Sequence, residues 1–522
     1  MKTVFSRAVA GERIYLFGLI FLAASLPLSK FTCSVSQFVI VAGWLLSSKL
    51  GLRMRHFFKQ PCAWMPSAIY LLFVVGMVYS VDFGHGLKEL RIKLPILLLP
   101  FLISTAPAIS RRQWIYVIAI FILAVLVSSG ISTYILATTE VMDTRNISPF
   151  ISHIRFGLMI SLAFFASVYF AWHTLYWYVR LLMILVASWL LVFLILLESV
   201  TGLGITLVLG VMMLLYVIFK KGKFWIRLSS LASLVVLAGL AVFSADRIID
   251  EELKDPEIDY AQLEKTTSKG NMYYHDTTNT WHENGHYIYL YICEPELKNA
   301  WEKRSDYAYS GQDNKGQILK YTLIRFLNSK GLRKDADGVN QLTEEEVKAV
   351  ENGIANINYI NRSSLRARLS QIIYEYKNYQ HHGDPSGHSV MQRLEYWKAA
   401  VGIIKANPLK GVGTGDINQA FDQQYKIMDS PLDKEFQLRA HNQYLRIAAT
   451  LGIPGLVLFL LFVFYPVIAA KAWEEALFIP FLIIVLMSMI TEDTLETQAG
   501  ATFFAFFYAF LLWGRRSIFN RD

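Results

Sequence analysis

The chain has 522 residues, 54% of them hydrophobic and only 17% charged, with a mean hydropathy of +0.37. That composition excludes an ordinary soluble domain and defines a polytopic membrane protein. The net charge of +9 and pI near 9.1 fit basic residues gathered on cytoplasmic loops, and without any nucleic-acid motif they do not indicate nucleic acid as a partner. Three cysteines, Cys33, Cys62 and Cys293, exclude a disulfide framework and a zinc site.

Apolar runs of spanning length occur near 14 to 30, 33 to 50, 63 to 81, 92 to 109, 114 to 137, 156 to 173, 178 to 198, 201 to 219, 226 to 244, 453 to 470, 475 to 491 and 499 to 514. The expected fold is therefore an all-α polytopic membrane protein of about twelve transmembrane helices. The basic N-terminal stretch Met1–Arg13 resembles a signal peptide's start, but a second span follows, so the first helix is read as uncleaved. With that end inside, the returns fall on Arg53, Arg55 and Lys59, then Arg111 and Arg112, Arg180, the group Lys220, Lys221, Lys223 and Arg227, Lys471, and finally Arg515, Arg516 and Arg521. Both termini are then cytoplasmic by the positive-inside rule.

This orientation divides the chain into spans one to nine over 1–244, a large outer loop over 245–438, and a re-entry helix with spans ten to twelve over 439–522. The loop is far longer than a connector requires. Thr343-Glu-Glu-Glu346 is a capping box opening a helix over 344 to 352, and 365 to 379 and 390 to 406 read as amphipathic helices, so the loop is mainly helical. The Tyr-rich middle, 246 to 331, reads as a partly ordered insert.

Several cations stand on the outer side, where the charge rule disfavours them. Lys88, Arg91 and Lys93 follow the third span, Arg145 the fifth, and Arg155 heads the sixth in Ser152-His-Ile-Arg-Phe-Gly157. Snorkelling accounts for Lys88 and Lys93. Arg155, set among apolar residues, points to a site. Outer cations at a membrane suit an anionic ligand carried in the lipid, such as a lipid-linked phosphate or pyrophosphate.

The loop closes on a second group of motifs. Arg393, Trp397, Ala400 and Ile404 share a helical face, placing a guanidinium at the end of an apolar stripe, where it either covers packed surface or presents a fork to phosphate. Asn407-Pro-Leu-Lys-Gly-Val-Gly-Thr-Gly415 follows, a weak phosphate-cradle signal better read as a tight turn. His441, Leu445 and Ala448 fall at i, i+4, i+7, so a short helix would carry the imidazole on an apolar face until Gly452-Ile-Pro-Gly455 stops it. Near a helix N-terminus the dipole disfavours added positive charge, and a neutral imidazole can act as a base; a helix-capping His is the plainer alternative. Asn442, Arg439 and Glu395 are candidate substrate contacts, although exposed Asn and Glu are more often only solvated.

Taken together, Arg393-xxx-Trp397, the Asn407–Gly415 turn and His441-Asn-x-x-Leu445 with Gly452-Ile-Pro-Gly455 resemble the core of the O-antigen ligase and O-antigen polymerase family. The resemblance is motif-rich over about 390 to 515. It implies a metal-independent, cofactor-free glycosyltransferase of the bacterial inner membrane that takes a glycan from undecaprenyl pyrophosphate at the periplasmic face. The acceptor would be a lipid A-core sugar in a ligase, or another lipid-linked repeat unit in a polymerase. The family's catalytic His falls on His441 and its loop Arg on Arg393. Its second Arg, commonly in a Ser-Arg pair, meets Val200 in Glu198-Ser-Val-Thr-Gly202. Arg155 is then expected to supply that charge, with Arg91 or Lys93 as weaker substitutes. A lipid-linked glycan transporter is the rival reading, disfavoured because repeated halves and midplane helix breaks are missing from the sequence pattern.

Overall fold

The computed structural model describes residues 2–47, 50–139, 147–216, 258–279, 281–360, 365–382 and 385–515, with scattered residues between 218 and 239. The expected ninth span falls largely outside them, as do Arg145, Lys220, Lys221, Lys223, Arg227, Arg516 and Arg521. The chain forms two compact units, residues 1–213 with 392–522, and residues 214–391.

The first unit opens with α1 (Lys2–Ser25), α2 (Lys30–Leu46), α3 (Leu50–Lys59), α4 (Pro61–Met77), α5 (Phe83–Thr105), α6 (Arg111–Thr138), α7 (His153–His173), α8 (Trp177–Leu196) and α9 (Val200–Tyr216). Side chains set the starts of three of them. Ser29 accepts from Thr32 N to cap α2, Asp82 accepts from His85 N to cap α5, and Ser110 with Gln113 forms a capping box on α6. Among the described residues, four helices are long and apolar enough to cross a membrane: α6, α7, α8 and the later helix Gln443–Ala469. A fifth crossing arises if α2 and α3, bent by 109°, count as one broken span, and shorter apolar helices lie at α4, α9, Phe478–Thr491 and Gln498–Trp513. Where the sequence led one span into a cytoplasmic loop, the chain instead forms α3, a separate helix carrying Arg53, Arg55 and Lys59.

The second unit contains β1 (His282–Glu283), β2 (His286–Tyr287), α10 (Glu294–Trp301), α11 (Leu319–Ser329), α12 (Ala336–Asn340), α13 (Glu344–Glu351) and α14 (Leu365–His382). Both strands meet at an Asn284-Gly285 turn whose residues have φ of 51° and 76°, the positive values a two-residue hairpin turn of the mirror-image type requires. Trp301, Leu323, Phe326, Leu327, Val339 and Val350 form its core. The region read as partly ordered is thus folded over its described residues. Buried Glu283 fixes the hairpin to α11 through Arg325, with both guanidinium nitrogens at 3.1 Å. The capping box at Thr343 and Glu346 forms in full.

The first unit resumes with α15 (Ser389–Ala406), α16 (Ile417–Ile427), α17 (Gln443–Ala469), α18 (Phe478–Thr491) and α19 (Gln498–Trp513). Helix α19 is buried along almost its whole length and packs against α5. The two run parallel. Lys93, midway along α5, bonds Glu496 just before α19, while Ile109 N, just past α5, donates to Gly514 O at 2.8 Å, just past α19. One end of this pair carries carboxylates; the other carries Arg111 and Arg515.

Candidate active site

Between α18 and α19 the chain reads Glu492-Asp-Thr-Leu-Glu-Thr497. Carboxylates wedged between two apolar helices are costly unless each finds a partner, and all three are buried with one. Glu492 collects the functional candidates. Arg393 Nη2 lies 3.1 Å from Oε1, His441 Nδ1 3.6 Å from Oε2, and Arg155 Nη2 4.0 Å from Oε2. Arg155 is further held by Thr497 and Ser152, each accepting at 3.0 Å, and Arg393 Nε donates to Thr491 O at 3.4 Å. Burial pushes Glu492 up, but His441, Arg155 and Arg393 together outweigh it and hold the carboxyl below its usual range. The cluster is not sealed: the side chains of Arg393, His441 and Arg155 remain 27%, 25% and 14% exposed.

His441 does not lie on a helical face, contrary to the expectation from its spacing. Helix α17 begins two residues later, at Gln443, with Asn442 as its cap, and Asn442 Oδ1 accepts from Leu445 N at 3.0 Å. Asn442 therefore spends its oxygen on the backbone. His441 itself has φ of 46°, a left-handed conformation costing a non-glycine residue about 1–3 kcal/mol. Asp493 holds it on both sides, accepting from Asn442 N at 3.0 Å and facing Arg439 Nε at 3.3 Å. Burial pushes Asp493 up from its usual range against the pull of Arg446 and Arg439. The Tyr396 ring, 5.5 Å away, forms a wall beside the imidazole.

Glu496 makes a different cluster. Lys93 Nζ lies 2.6 Å from Glu496 and 2.5 Å from Glu89, while Arg446 approaches the same two carboxylates at 3.7 and 3.6 Å. Gln443 donates to Glu496 at 3.0 Å and accepts from Leu495 N at 2.7 Å, tying the connector to the first turn of α17. Lys93 and Arg446 are 1% and 2% exposed. Lys93 does not snorkel; it is buried and doubly paired. Burial opposes ionisation of Glu496, yet Lys93 and Arg446 hold it well below the usual carboxylate range.

The Gly-rich turn is not a phosphate cradle either. Val412 N and Gly413 N donate to Ala449 O and Thr450 O at 3.0 and 2.9 Å, Thr414 N to Gly76 O at 3.2 Å, and Gly415 N to Ser80 Oγ at 2.9 Å. A Cβ on Gly415 would sit 2.1 Å from Asp82 O, and one on Gly411 2.4 Å from Thr450 O. Glycine is required because backbone meets backbone. At Gly452, with φ of 75° and ψ of 175°, α17 breaks into two helices, and the turn packs into the break through Ile453 N and Pro408 O at 2.8 Å. The turn anchors the returning chain that carries His441.

Of the sequence candidates, Arg155, Arg393 and His441 meet at Glu492, and Arg439 stands beside them on Asp493. Arg91 is exposed on α5, two residues from both Glu89 and Lys93, and is not part of either cluster. Glu395 is buried and paired to Lys398 at 2.6 Å. The sequence reading missed Glu492, Asp493, Glu496 and Arg446. The signal was present: the rule that singled out Arg155 at a span's edge applies equally to three acids between two apolar runs.

Helices of membrane length, with an open cluster of two guanidiniums, an imidazole and a carboxylate at helix ends, define a membrane protein equipped for acid–base and anion chemistry. Residues 347–460 match the family model described as O-antigen ligase, a segment holding Arg393, the glycine turn, Arg439 and His441. That match, with the membrane-length helices, points to a membrane glycosyltransferase-like function. A search among curated proteins finds no match.

Proposed function

We propose that the Glu492 cluster is the reaction centre of an inverting glycosyltransferase that moves a glycan from undecaprenyl pyrophosphate to an acceptor hydroxyl at the periplasmic face of the bacterial inner membrane. The observation that carries this reading is the convergence of Arg155, Arg393 and His441 on one carboxylate within 4.0 Å. Each guanidinium offers five donors, so both retain capacity for a diphosphate after meeting Glu492. Glu492 draws the proton of His441 to Nδ1, leaving Nε2 as the base. As the acceptor oxygen attacks the anomeric carbon, its proton passes to Nε2. The bond from that carbon to the phosphate oxygen breaks, and the electron pair leaves with the diphosphate, whose growing charge the two arginines stabilise. The products are the glycosylated acceptor, inverted at the anomeric centre, and undecaprenyl pyrophosphate.

Arg155 as the second cation rests on its approach to Glu492. Gly157, two residues on and so on the other face of α7, lies against the Glu198–Gly202 turn, where a Cβ on it would approach Ser199 Oγ to 2.5 Å. In this reading the charge that the family carries at the position of Val200 comes from α7, which packs beside that turn. No step calls for a metal, and twelve spans with residues 245–438 outside remain the topology that fits this chemistry.

Purified full-length protein in detergent, given labelled lipid-linked glycan and a lipid A-core acceptor, tests the reading. Label appearing on the acceptor, undiminished by a chelator, supports a ligase; lengthened lipid-linked chains instead indicate a polymerase. Translocation in sealed vesicles without a new glycosidic bond would identify a transporter and overturn the proposal.

A further inference from the structure

Helix α3 takes no part in the chemistry above, and its side chains divide in an unusual way. Arg53 and Phe57 face inward: Arg53 donates to Ser47 Oγ, and the Phe57 ring stands edge-on to Phe101 with centroids 4.9 Å apart. Leu52, Met54 and Phe58 are exposed, and so are Arg55 and Lys59. Leu52, Arg55 and Lys59 fall at i, i+3, i+7, so cations one turn apart share the outer face with apolar side chains. Among the described residues neither Arg55 nor Lys59 has an ion-pair partner.

Position gives this pattern its meaning. Phe101 is near the end of α5, and Trp44, near the end of α2, donates to Thr105 Oγ1 at 2.8 Å. Helix α3 therefore sits at the end opposite the carboxylate connector, where Arg111 and Arg112 are also exposed. It turns 109° from α2, so it lies across that helix's direction. A short helix with an apolar and cationic outer face at this basic end of the bundle is built to meet an anionic bilayer surface.

We propose that α3 is a docking surface for anionic phospholipid headgroups, with the lipid phosphate bridged by Arg55 and Lys59 while Leu52, Met54 and Phe58 enter the acyl layer. Lipid is the occupant because a soluble anion would leave three large apolar side chains beside it in water, whereas a phospholipid satisfies both parts of the face.

The test titrates detergent-purified full-length protein with phosphatidylglycerol, phosphatidylcholine of the same chain length, and inorganic phosphate, counting bound lipid by native mass spectrometry. Phosphatidylglycerol should be retained about 30-fold more strongly than phosphatidylcholine, as two basic residues at a charged surface imply. Raised salt on the wild-type protein should remove that preference, which needs no variant. R55Q/K59Q should remove it too, and R55K should keep it. Equal retention of both lipids, unchanged preference in the double variant, or full competition by inorganic phosphate at matched concentration would overturn the proposal.

Discussion

The six-residue connector after α18 builds two ionic clusters that use similar groups for different ends. At Glu492 the cations keep between 14% and 27% of their side-chain surface exposed, and one partner is an imidazole on a strained backbone. At Glu496 the cations are at most 2% exposed, and Gln443 and Glu89 take up remaining valences. The first can admit a charged ligand; the second holds the connector in place so that Glu492 and Asp493 face His441 and Arg439. A buried ion pair is a poor source of net stability but a costly thing to break. In the proposed reading, accessibility more than charge divides chemistry from scaffolding.

The sharpest way to break this comparison is to remove one sealed cation. Lys93→Met takes the ammonium from two buried carboxylates and leaves Arg446 as their remaining guanidinium partner, and should destabilise the protein by about 3–5 kcal/mol, read as a fall in the thermal unfolding midpoint. An unchanged midpoint with lost activity would place Lys93 in the reaction centre and dissolve the distinction. On the open side, Arg393→Lys and Arg155→Lys keep the charge but lose the fork. Each should slow turnover about 10- to 100-fold while the midpoint holds, and unchanged kinetics would remove that residue from the site. Gly415→Ala probes the anchor between them. Its new Cβ lies 2.1 Å from Asp82 O, and the clash should cost about 1–3 kcal/mol by chemical denaturation.

Acid probes the open cluster more gently. Because the folded-state value of Glu492 lies below its unfolded one, its contribution is fully present above the ordinary carboxylate value, about 4.3, and fades as pH falls through the lower folded value. Glu492→Gln should therefore lack that part of the wild-type loss of stability below about pH 4, measured by unfolding across pH. A parallel loss in both proteins would mean that Glu492 is not held ionised by its neighbours. The smallest effect expected is a partial recovery of turnover when Val200→Arg is added to Arg155→Ala. No recovery would show that the two positions do not serve one ligand.

Much of this was legible before any coordinates. Arg393, the glycine turn and His441 form a motif, and Arg155 betrayed itself by its cost at a span's edge. Most misreadings came from interactions without sequence periodicity. Lys93 looked like a snorkelling cation because one partner, Glu496, lies 403 residues away, although the other, Glu89, stands at the helical i−4 position. His441 was placed on a helix because spacing cannot reveal that Asn442 caps α17 and leaves the imidazole outside. The likeness of the Asn407–Gly415 turn to a cradle ended at the carbonyls of Ala449, Thr450 and Gly76, which only folding brings near. Helix α3 was absorbed into a loop since ten residues of mixed apolar and basic character have no length signature of a span.

The central claim is that His441 is the base of a sugar transfer whose donor is held by the neighbouring arginines. Its most direct test compares wild-type and His441→Ala protein, purified in detergent, for both donor binding and single-turnover transfer. The predicted result is a fall in transfer of about 10²- to 10⁴-fold with donor affinity and unfolding midpoint preserved. Transfer near the wild-type rate in the variant would contradict it.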